Sequence, residues 1–332
     1  MAVKNALRIG LIGCGGIMNS HARGFERMDG VSVAAVADPI EERRNAMAAR
    51  FGAKGVYADP RALYDGEKNL DAVVIAVPPA EHKGIEEEAI DRKLHFKVEK
   101  PMTLDLAQAR KIADGAKKAG IVTAVGFQDR YMEIADRMKE EIKGTDIALI
   151  HATWAGGIPG VPWWRKRSTG GGQLVEQNIH LVDLVRYLFG DFTSVYALKT
   201  SGIVKDADSP GYDVEDSSTA LFRMASGATV TFFTACYLIS GGVTVENGIV
   251  ALGRQKSLAY SLRSSLRVVS RASDLCYKHL NDQMYDSDVA FFDAVRRADP
   301  AGVRSPYGDA LKSLEACLAA TESMYSGKVV TI

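Results

Sequence analysis

Along the first 127 residues, short runs of β-branched and other apolar positions alternate with stretches whose apolar residues recur at helical spacing. The strand-like runs are LRIGLIG (7–13), VSVAAVAD (31–38), AVVIAV (72–77), HFKVEK (95–100) and IVTAVGF (121–127), with helices predicted at about 17–28, 41–51, 80–92 and 104–119. Strands separated by helices of that length imply βαβ units and a parallel sheet covered on both faces. After Arg130 the pattern changes. A predicted helix near 131–143, a strand at 147–154 and a helix at 174–189 precede SSTALFRM (217–224), ATVTFFTACYL (228–238) and VTVENGIVAL (243–252). Apolar and polar residues alternate in these three runs, as in an antiparallel sheet with one covered face. The polar stretch 200–218 reads as a long loop. Helices near 282–298 and 307–325 close the chain, the second stopping before Gly327.

Length and charge narrow the picture. At 332 residues the chain exceeds what one hydrophobic core usually supports, so two domains are expected, 1–127 and 128–332. Lysines plus arginines equal aspartates plus glutamates at 41 each, which argues against a nucleic-acid partner. Cys14, Cys236, Cys276 and Cys317 contain no C-x-x-C pair, so neither a disulfide framework nor a thiolate zinc site is expected, and the histidines add no ligand spacing. LIGC after Lys4 and Arg8 has the look of a lipoprotein cleavage site. Only Ile9 to Ile12 precede the glycines, however, short of the roughly 7–15 apolar residues a signal sequence needs. With no run of ~18 apolar residues, a cytoplasmic protein without a membrane partner is expected.

The glycines after the first strand supply the first candidate site. Gly13 and Gly15 stand where a dinucleotide-binding loop needs a tight turn and close backbone approach to a pyrophosphate; Gly16 and Ile17 follow, and Met18 takes the place of a third glycine. The second strand ends at Asp38, twenty residues past Met18, where a carboxylate reaches the adenosine ribose hydroxyls. A turn residue before Pro39 is the plainer account of Asp38. A carboxylate there repels a 2′-phosphate, so NAD is preferred over NADP, with Arg43 and Arg44 pulling the other way. The fold class expected is α/β: an N-terminal Rossmann-type parallel sheet plus a C-terminal α+β domain with a large, mostly antiparallel sheet.

Two further stretches carry candidate chemistry. KVEKPM puts Glu99 and Lys100 at the carboxyl end of a parallel strand, the edge where doubly wound sheets bind ligands; a surface lysine beside Lys93 and Lys97 is the bland alternative. Pro101 restricts Lys100 to extended geometry. Within GGGQLVEQNIHLVDLVRYLFG, the residues Glu176, His180, Asp183 and Tyr187 recur at spacings of four, three and four, a polar stripe on an otherwise apolar helix. Buried charges demand partners, so the stripe is expected to face a cleft.

Together, GLIGCGGI, IAVPPAEH, VEKP and GGGQLVEQNIHLVDLVRYLFG resemble the Gfo/Idh/MocA family of nicotinamide-dependent oxidoreductases, and VEDSSTALFRMASGATV and LAATESMYSGKVV extend the resemblance nearly end to end. The resemblance implies that Lys100 sits beside the nicotinamide and hydrogen-bonds the reacting oxygen, that His180 is the acid/base with Glu176 as its acidic companion, and that Asp183 contacts substrate. It implies cofactor contacts for Val77, Pro78, His82, Glu99, Gln128, Trp164 and Arg165, with Trp164 equally accounted for as core. Glu176 stands in place of a more frequent aspartate, and Asn178 in place of a frequent glycine.

The chemistry expected is NAD(P)-dependent oxidation of a secondary alcohol, a CH–OH dehydrogenase needing no metal. Trp163, Trp164, Arg165, Gln173, Glu176 and Asp183 suit a cyclic polyol or sugar, an inositol or a free or derivatised hexose. An NAD-recycling glycoside-cleaving enzyme of the same fold and a non-catalytic cofactor-binding sensor are the alternatives. TVTFFTACYL has more large residues than one sheet face uses, so a homodimer or homotetramer through the C-terminal sheet is expected.

Overall fold

The computed structural model describes residues 6–239 and 246–332. The chain divides into two compact units, one comprising the chain up to Gln128 with Asp282–Leu311, the other Asp129–Asn281 with Lys312–Ile332.

In the first unit β1 (Leu7–Ile12), α1 (Gly16–Phe25), β2 (Val31–Ala37), α2 (Glu41–Phe51), β3 (Gly55–Tyr57), α3 (Pro60–Gly66), β4 (Ala72–Ile75), α4 (Ile85–Asp91), β5 (His95–Val98), α5 (Leu106–Ala119) and β6 (Thr123–Val125) alternate. The six strands form a parallel sheet in the order β3-β2-β1-β4-β5-β6. This is the Rossmann order, and it reverses between β1 and β4. The apolar runs are strands because both faces are covered: all of β4 is buried, and Arg8 is the one exposed residue of β1. The apolar pattern does not predict β3 and α3, since a three-residue strand has no measurable period. α3 is instead set by its cap, the Asp59 side chain accepting from Ala62 N at 2.9 Å with Pro60 in the first turn.

The second unit contains α6 (Glu133–Ile142), β7 (Ile147–Ala155), α7 (Arg167–Gly170), α8 (Gln173–Glu176), α9 (Ile179–Phe189), β8 (Phe192–Thr200), β9 (Ser217–Met224), β10 (Thr229–Ala235), β11 (Gly248–Gly253), β12 (Lys256–Ser261), β13 (Ser265–Ser270) and β14 (Asp274–Lys278). With the terminal β15 (Val330–Thr331) they build a nine-stranded sheet, β14-β13-β12-β11-β7-β10-β9-β8-β15, antiparallel except where β10 runs parallel to β7. Along β9 buried residues alternate with accessible ones, as the sequence pattern requires of a sheet with one covered face. The first three positions of the expected strand 243–252 lie outside the described residues.

The helix expected over 174–189 is broken in two. Asn178 N bonds to Gln173 O at 3.0 Å, a wider loop than the α-helical one, and regular hydrogen bonding resumes with Val182 N to Asn178 O. The extra residue shifts Glu176 out of strict register with His180, so the polar stripe is not one helical face.

Two long helices complete the chain: α10 (Gln283–Arg297) and α11 (Tyr307–Ser326). A second domain running unbroken from 128 to 332 differs from this division, because α10 belongs to the first unit. Its Phe291 and Phe292 are fully buried in one core cluster with Met18, Phe25 and Val33, and the Phe25 and Phe292 rings meet edge-on at 5.6 Å. Among the described residues, no helix is long and apolar enough to cross a membrane.

Candidate active site

The first unit gathers its candidate residues at the carboxyl edge of the parallel sheet. Gly13 has φ +83°, and a side chain on it would strike the Ala76 carbonyl beyond β4. Only glycine fits there. A Cβ built on Gly15 or Gly16 meets no protein atom within 4 Å. The backbone there is open, as close approach of a pyrophosphate requires. Gly15 stands at the N-cap of α1 and offers no side-chain cap, which leaves the helix's first N–H groups to an anion. Ile17 is accessible. Met18 is fully buried in the core, so its side chain fills the space behind the loop and only its backbone can border a cofactor. The cofactor contact expected of Met18 is thereby narrowed to its backbone, the side chain packing in the cluster with Phe25 and Phe291.

Asp38 ties the loop together. Its Oδ2 accepts from Cys14 N at 2.7 Å and its Oδ1 from Ile40 N at 2.8 Å, and each oxygen keeps a lone pair for a further donor. Burial, aided by the Asp38 charge, pushes the Cys14 thiol up to about 12, so it stays neutral as a turn residue. Arg44 turns back onto the Asp38 and Pro39 carbonyls and the Glu41 carboxylate. Arg43 and Arg50 line a neighbouring cavity with Cys14, Asn19 and Met47.

Beyond β4, Val77 and Pro78 lead into a single turn of 3₁₀ helix at Pro79–Glu81. His82 follows, buried, with its Nδ1 on the carboxylate of the fully buried Glu86. His82 Nε2 and Gln128 Oε1 are buried and have no hydrogen-bond partner among the described residues. With the open glycine backbone and Asp38 at the end of β2, these two atoms make the edge fit a dinucleotide, for which unpaired buried polar groups would be the protein's side of the bonds.

The end of β5 holds a buried chain of charges. Lys97 is not the surface lysine its composition suggests: its Nζ donates to Asp288 Oδ1 at 2.6 Å and Ser287 Oγ at 2.7 Å. Asp288 Oδ2 lies 2.8 Å from His21 Nδ1, and His21 Nε2 lies 2.9 Å from Glu99 Oε1. Glu99 Oε2 accepts from the Lys100 N–H at 3.3 Å. Gly126 gives Glu99 its room, since any side chain there would overlap the carboxylate. Burial disfavours the His21 charge, but Asp288 and Glu99 outweigh it and raise the imidazole to about 9. Burial likewise opposes ionisation of Asp288, and His21 and Lys97 overcome it to lower its pKa. Glu99 is thus turned toward His21. Lys100 is half-buried and precedes a cis Pro101.

In the second unit lie Glu176, at the end of α8, and His180, in the first turn of α9. Both are buried, and the His180 and Trp154 rings lie 6.1 Å apart. Glu215 anchors this region from below α8: its carboxylate accepts from Gln173 N at 2.8 Å, and Gly172, at φ +99°, leaves it space. Trp163 and Trp164 stack with centroids 6.3 Å apart. Arg165 donates to the carbonyls of Pro159 (2.6 Å) and Gly160 (3.2 Å), so its guanidinium shapes its own loop.

Asp183 faces inward. It accepts from Arg130 Nε at 2.7 Å and the Arg130 terminal nitrogen at 2.6 Å, and from Ser313 Oγ at 2.6 Å. These bonds engage the carboxylate, of which a substrate contact was expected, with partners inside its own unit. Arg130, itself buried and stacked on Tyr187, is a residue the sequence reading overlooked. Among the described residues, no group of three or more His, Cys, Asp or Glu side chains is placed to hold a metal ion.

A parallel sheet in Rossmann order, an open glycine turn and an acidic residue closing the second strand define a dinucleotide-binding protein. Residues 7–127 match the oxidoreductase family with the NAD-binding Rossmann fold, and residues 136–258 the GFO/IDH/MocA C-terminal domain. The chain is 30% identical over 261 residues to the inositol 2-dehydrogenase of Mycolicibacterium gilvum, covering 74% of this chain and 71% of that protein. It is 27% identical over 249 residues to the D-glucoside 3-dehydrogenase of Escherichia coli, covering 70% and 71%. In fold it is similar to a levoglucosan dehydrogenase solved with NADH and levoglucosan, with a TM-score of 0.87, 21% identity and 99% of each chain covered. The chain belongs to the GFO/IDH/MocA family of NAD-binding oxidoreductases.

Proposed function

We propose that this chain oxidises a secondary alcohol of a cyclic polyol or sugar, reversibly, with NAD as the acceptor of hydride. The observation that carries the reading is the pairing of Glu99-Lys100 at the end of β5 with the open glycine turn after β1, at one edge of one sheet whose order reverses between β1 and β4. The dehydrogenases of inositol, glucosides and apiose among its relatives support the substrate class.

In this reading the glycine turn and α1 hold the pyrophosphate, Asp38 the adenosine ribose, and Val77, Pro78, His82, Gln128 and Trp164 border the rest of the cofactor. Bound NAD supplies the hydride acceptor. Lys100 donates a hydrogen bond to the substrate oxygen and stabilises its developing negative charge, while His180, with Glu176 as acidic companion, takes the hydroxyl proton. Trp163 offers a flat apolar wall for a ring. Asp183 orients the buried Arg130. Asp38 favours NAD over NADP, and Arg44, a cation that would favour NADP, is engaged with backbone carbonyls and Glu41.

The nine-stranded sheet carries Leu149, Leu198, Leu221, Phe233 and Leu252 on its accessible face, which supports association as a homodimer or homotetramer through that face. The test of the function is a panel of inositols, hexoses and glycosides assayed for NADH and NADPH formation. Stoichiometric NADH from one class separates the dehydrogenase from both an NAD-recycling glycoside-cleaving enzyme and a sensor.

A further inference from the structure

Lys97, Asp288, His21 and Glu99 form an unbroken line of alternating charge, and every member is at least nine-tenths buried. The line joins three elements. His21 lies on α1, five residues past the glycine turn, Lys97 and Glu99 flank the end of β5, and Asp288 is on α10. Its last member touches the Lys100 backbone.

We propose that His21 is a positioning residue for Lys100: as an imidazolium it holds Glu99 in the one orientation that also receives the Lys100 N–H, and so fixes the lysine relative to the helix that carries the cofactor loop. The inference rests on the reading of Lys100 as the donor to the reacting oxygen.

The protonation state follows from donor counting. A neutral imidazole carries one N–H and can donate to one carboxylate only, leaving the other facing a lone pair; an imidazolium donates to both. The groups bonded to the ring are Asp288 from α10 and Glu99 just past β5, with Phe25 of α1 stacked at 6.0 Å; Lys97 of β5 lies one step further along, on Asp288 and on Ser287 of α10. The raised His21 pKa agrees with this count. The Glu99 carboxylate lies against the Gly126 backbone, in space that a side chain at that position would fill. Without the imidazolium, Glu99 loses its buried counter-charge and either takes up a proton or turns away, and in both cases the bond to Lys100 N weakens. Misplacement of a catalytic group by an ångström costs on the order of a hundredfold in rate.

The test compares H21Q, D288N and K100A with the wild-type chain by kcat, KM for the polyol, and NADH affinity from quenching of intrinsic fluorescence in the absence of substrate. H21Q is expected to lower kcat about tenfold to a hundredfold while NADH affinity changes by less than about threefold; D288N, which leaves His21 able to bond Glu99 but removes the charge that keeps it protonated, is expected to fall between H21Q and wild type. Should H21Q fail to fold, D288N alone must show the drop in kcat at unchanged NADH affinity. Wild-type kcat in the folded variants, with only thermal stability reduced, overturns the inference and leaves the line of charges as a staple. Loss of NADH affinity in parallel with kcat also overturns it, since that makes His21 a loop residue. If K100A turns over normally, the reading of Lys100 fails and the inference falls with it; if K100A is inactive and H21Q is not, the inference alone fails.

Discussion

The carboxylate of Asp183 receives both forks of the Arg130 guanidinium at 2.6–2.7 Å, and neither residue is more than slightly accessible to solvent. Such a pair is set by geometry and punishes the loss of one partner, because the other charge remains buried. Replacing Asp183 by alanine is therefore expected to destabilise the fold by about 3–5 kcal/mol, measured by urea denaturation. A substrate contact would behave otherwise, raising KM and leaving the unfolding midpoint in place.

The His21 imidazole makes stability depend on alkaline pH. Its folded pKa, about 9, lies above the ordinary 6.5, so the folded state binds the proton more tightly than the unfolded chain. The contribution, on the order of 3 kcal/mol, is fully present below pH 6.5 and is lost as pH rises through 9. Unfolding free energies between pH 6 and 10 are expected to fall in the wild-type chain over that window and to fall less steeply in H21Q. Parallel curves would show that His21 is neutral in the folded protein.

Gly13 and Gly15 differ in what a methyl group would meet. Gly13→Ala combines a left-handed φ with a collision against Ala76 O, so both stability and NADH binding are expected to drop, stability by roughly 1–3 kcal/mol. Gly15→Ala has φ −77° and open space around it, so thermal stability is expected to stay within about 0.5 kcal/mol of wild type. NADH affinity should nonetheless fall at least tenfold. Unchanged affinity in Gly15→Ala would place the pyrophosphate elsewhere.

Asp38 carries two tasks that mutation can separate. Its bonds to Cys14 N and Ile40 N stabilise the turn, and its charge excludes a 2′-phosphate. Asp38→Asn keeps an acceptor oxygen and removes the charge. The ratio of kcat/KM for NAD over NADP is expected to fall by about tenfold or more in that variant, the equivalent of roughly 1.4 kcal/mol. A constant ratio would shift cofactor choice to Arg43.

The parallel sheet was legible because strands covered on both faces read as continuous apolar runs, and the glycine turn and Asp38 lie within one local βαβ unit. β12, β13 and β14 were not legible individually: KSLAYS and SLRVVS mix polar and apolar residues, and DLCYK is mostly exposed. Pairings across long separations left no periodic trace. His21 meets Asp288 over 267 positions and Arg130 meets Asp183 over 53, so a reading built on local spacing puts Asp183 on a stripe that needs a polar partner and overlooks Arg130 as that partner. One signal for the line of charges was present. Lys97 interrupts an apolar strand, HFKV, and a cation in a doubly covered strand requires a buried partner. The break at Asn178 was likewise hidden, because an inserted residue leaves the composition of an apolar helix unchanged.

The most direct measurement is turnover of an inositol and hexose panel by the wild-type chain, K100A and H180A, followed at the reduced nicotinamide band with NADH affinity determined alongside. The account predicts stoichiometric NADH from at least one cyclic polyol or sugar, and a kcat lowered by roughly 10²–10⁴ in each variant while NADH affinity is largely kept. No NADH from any member of the panel, or full turnover by K100A, would contradict it.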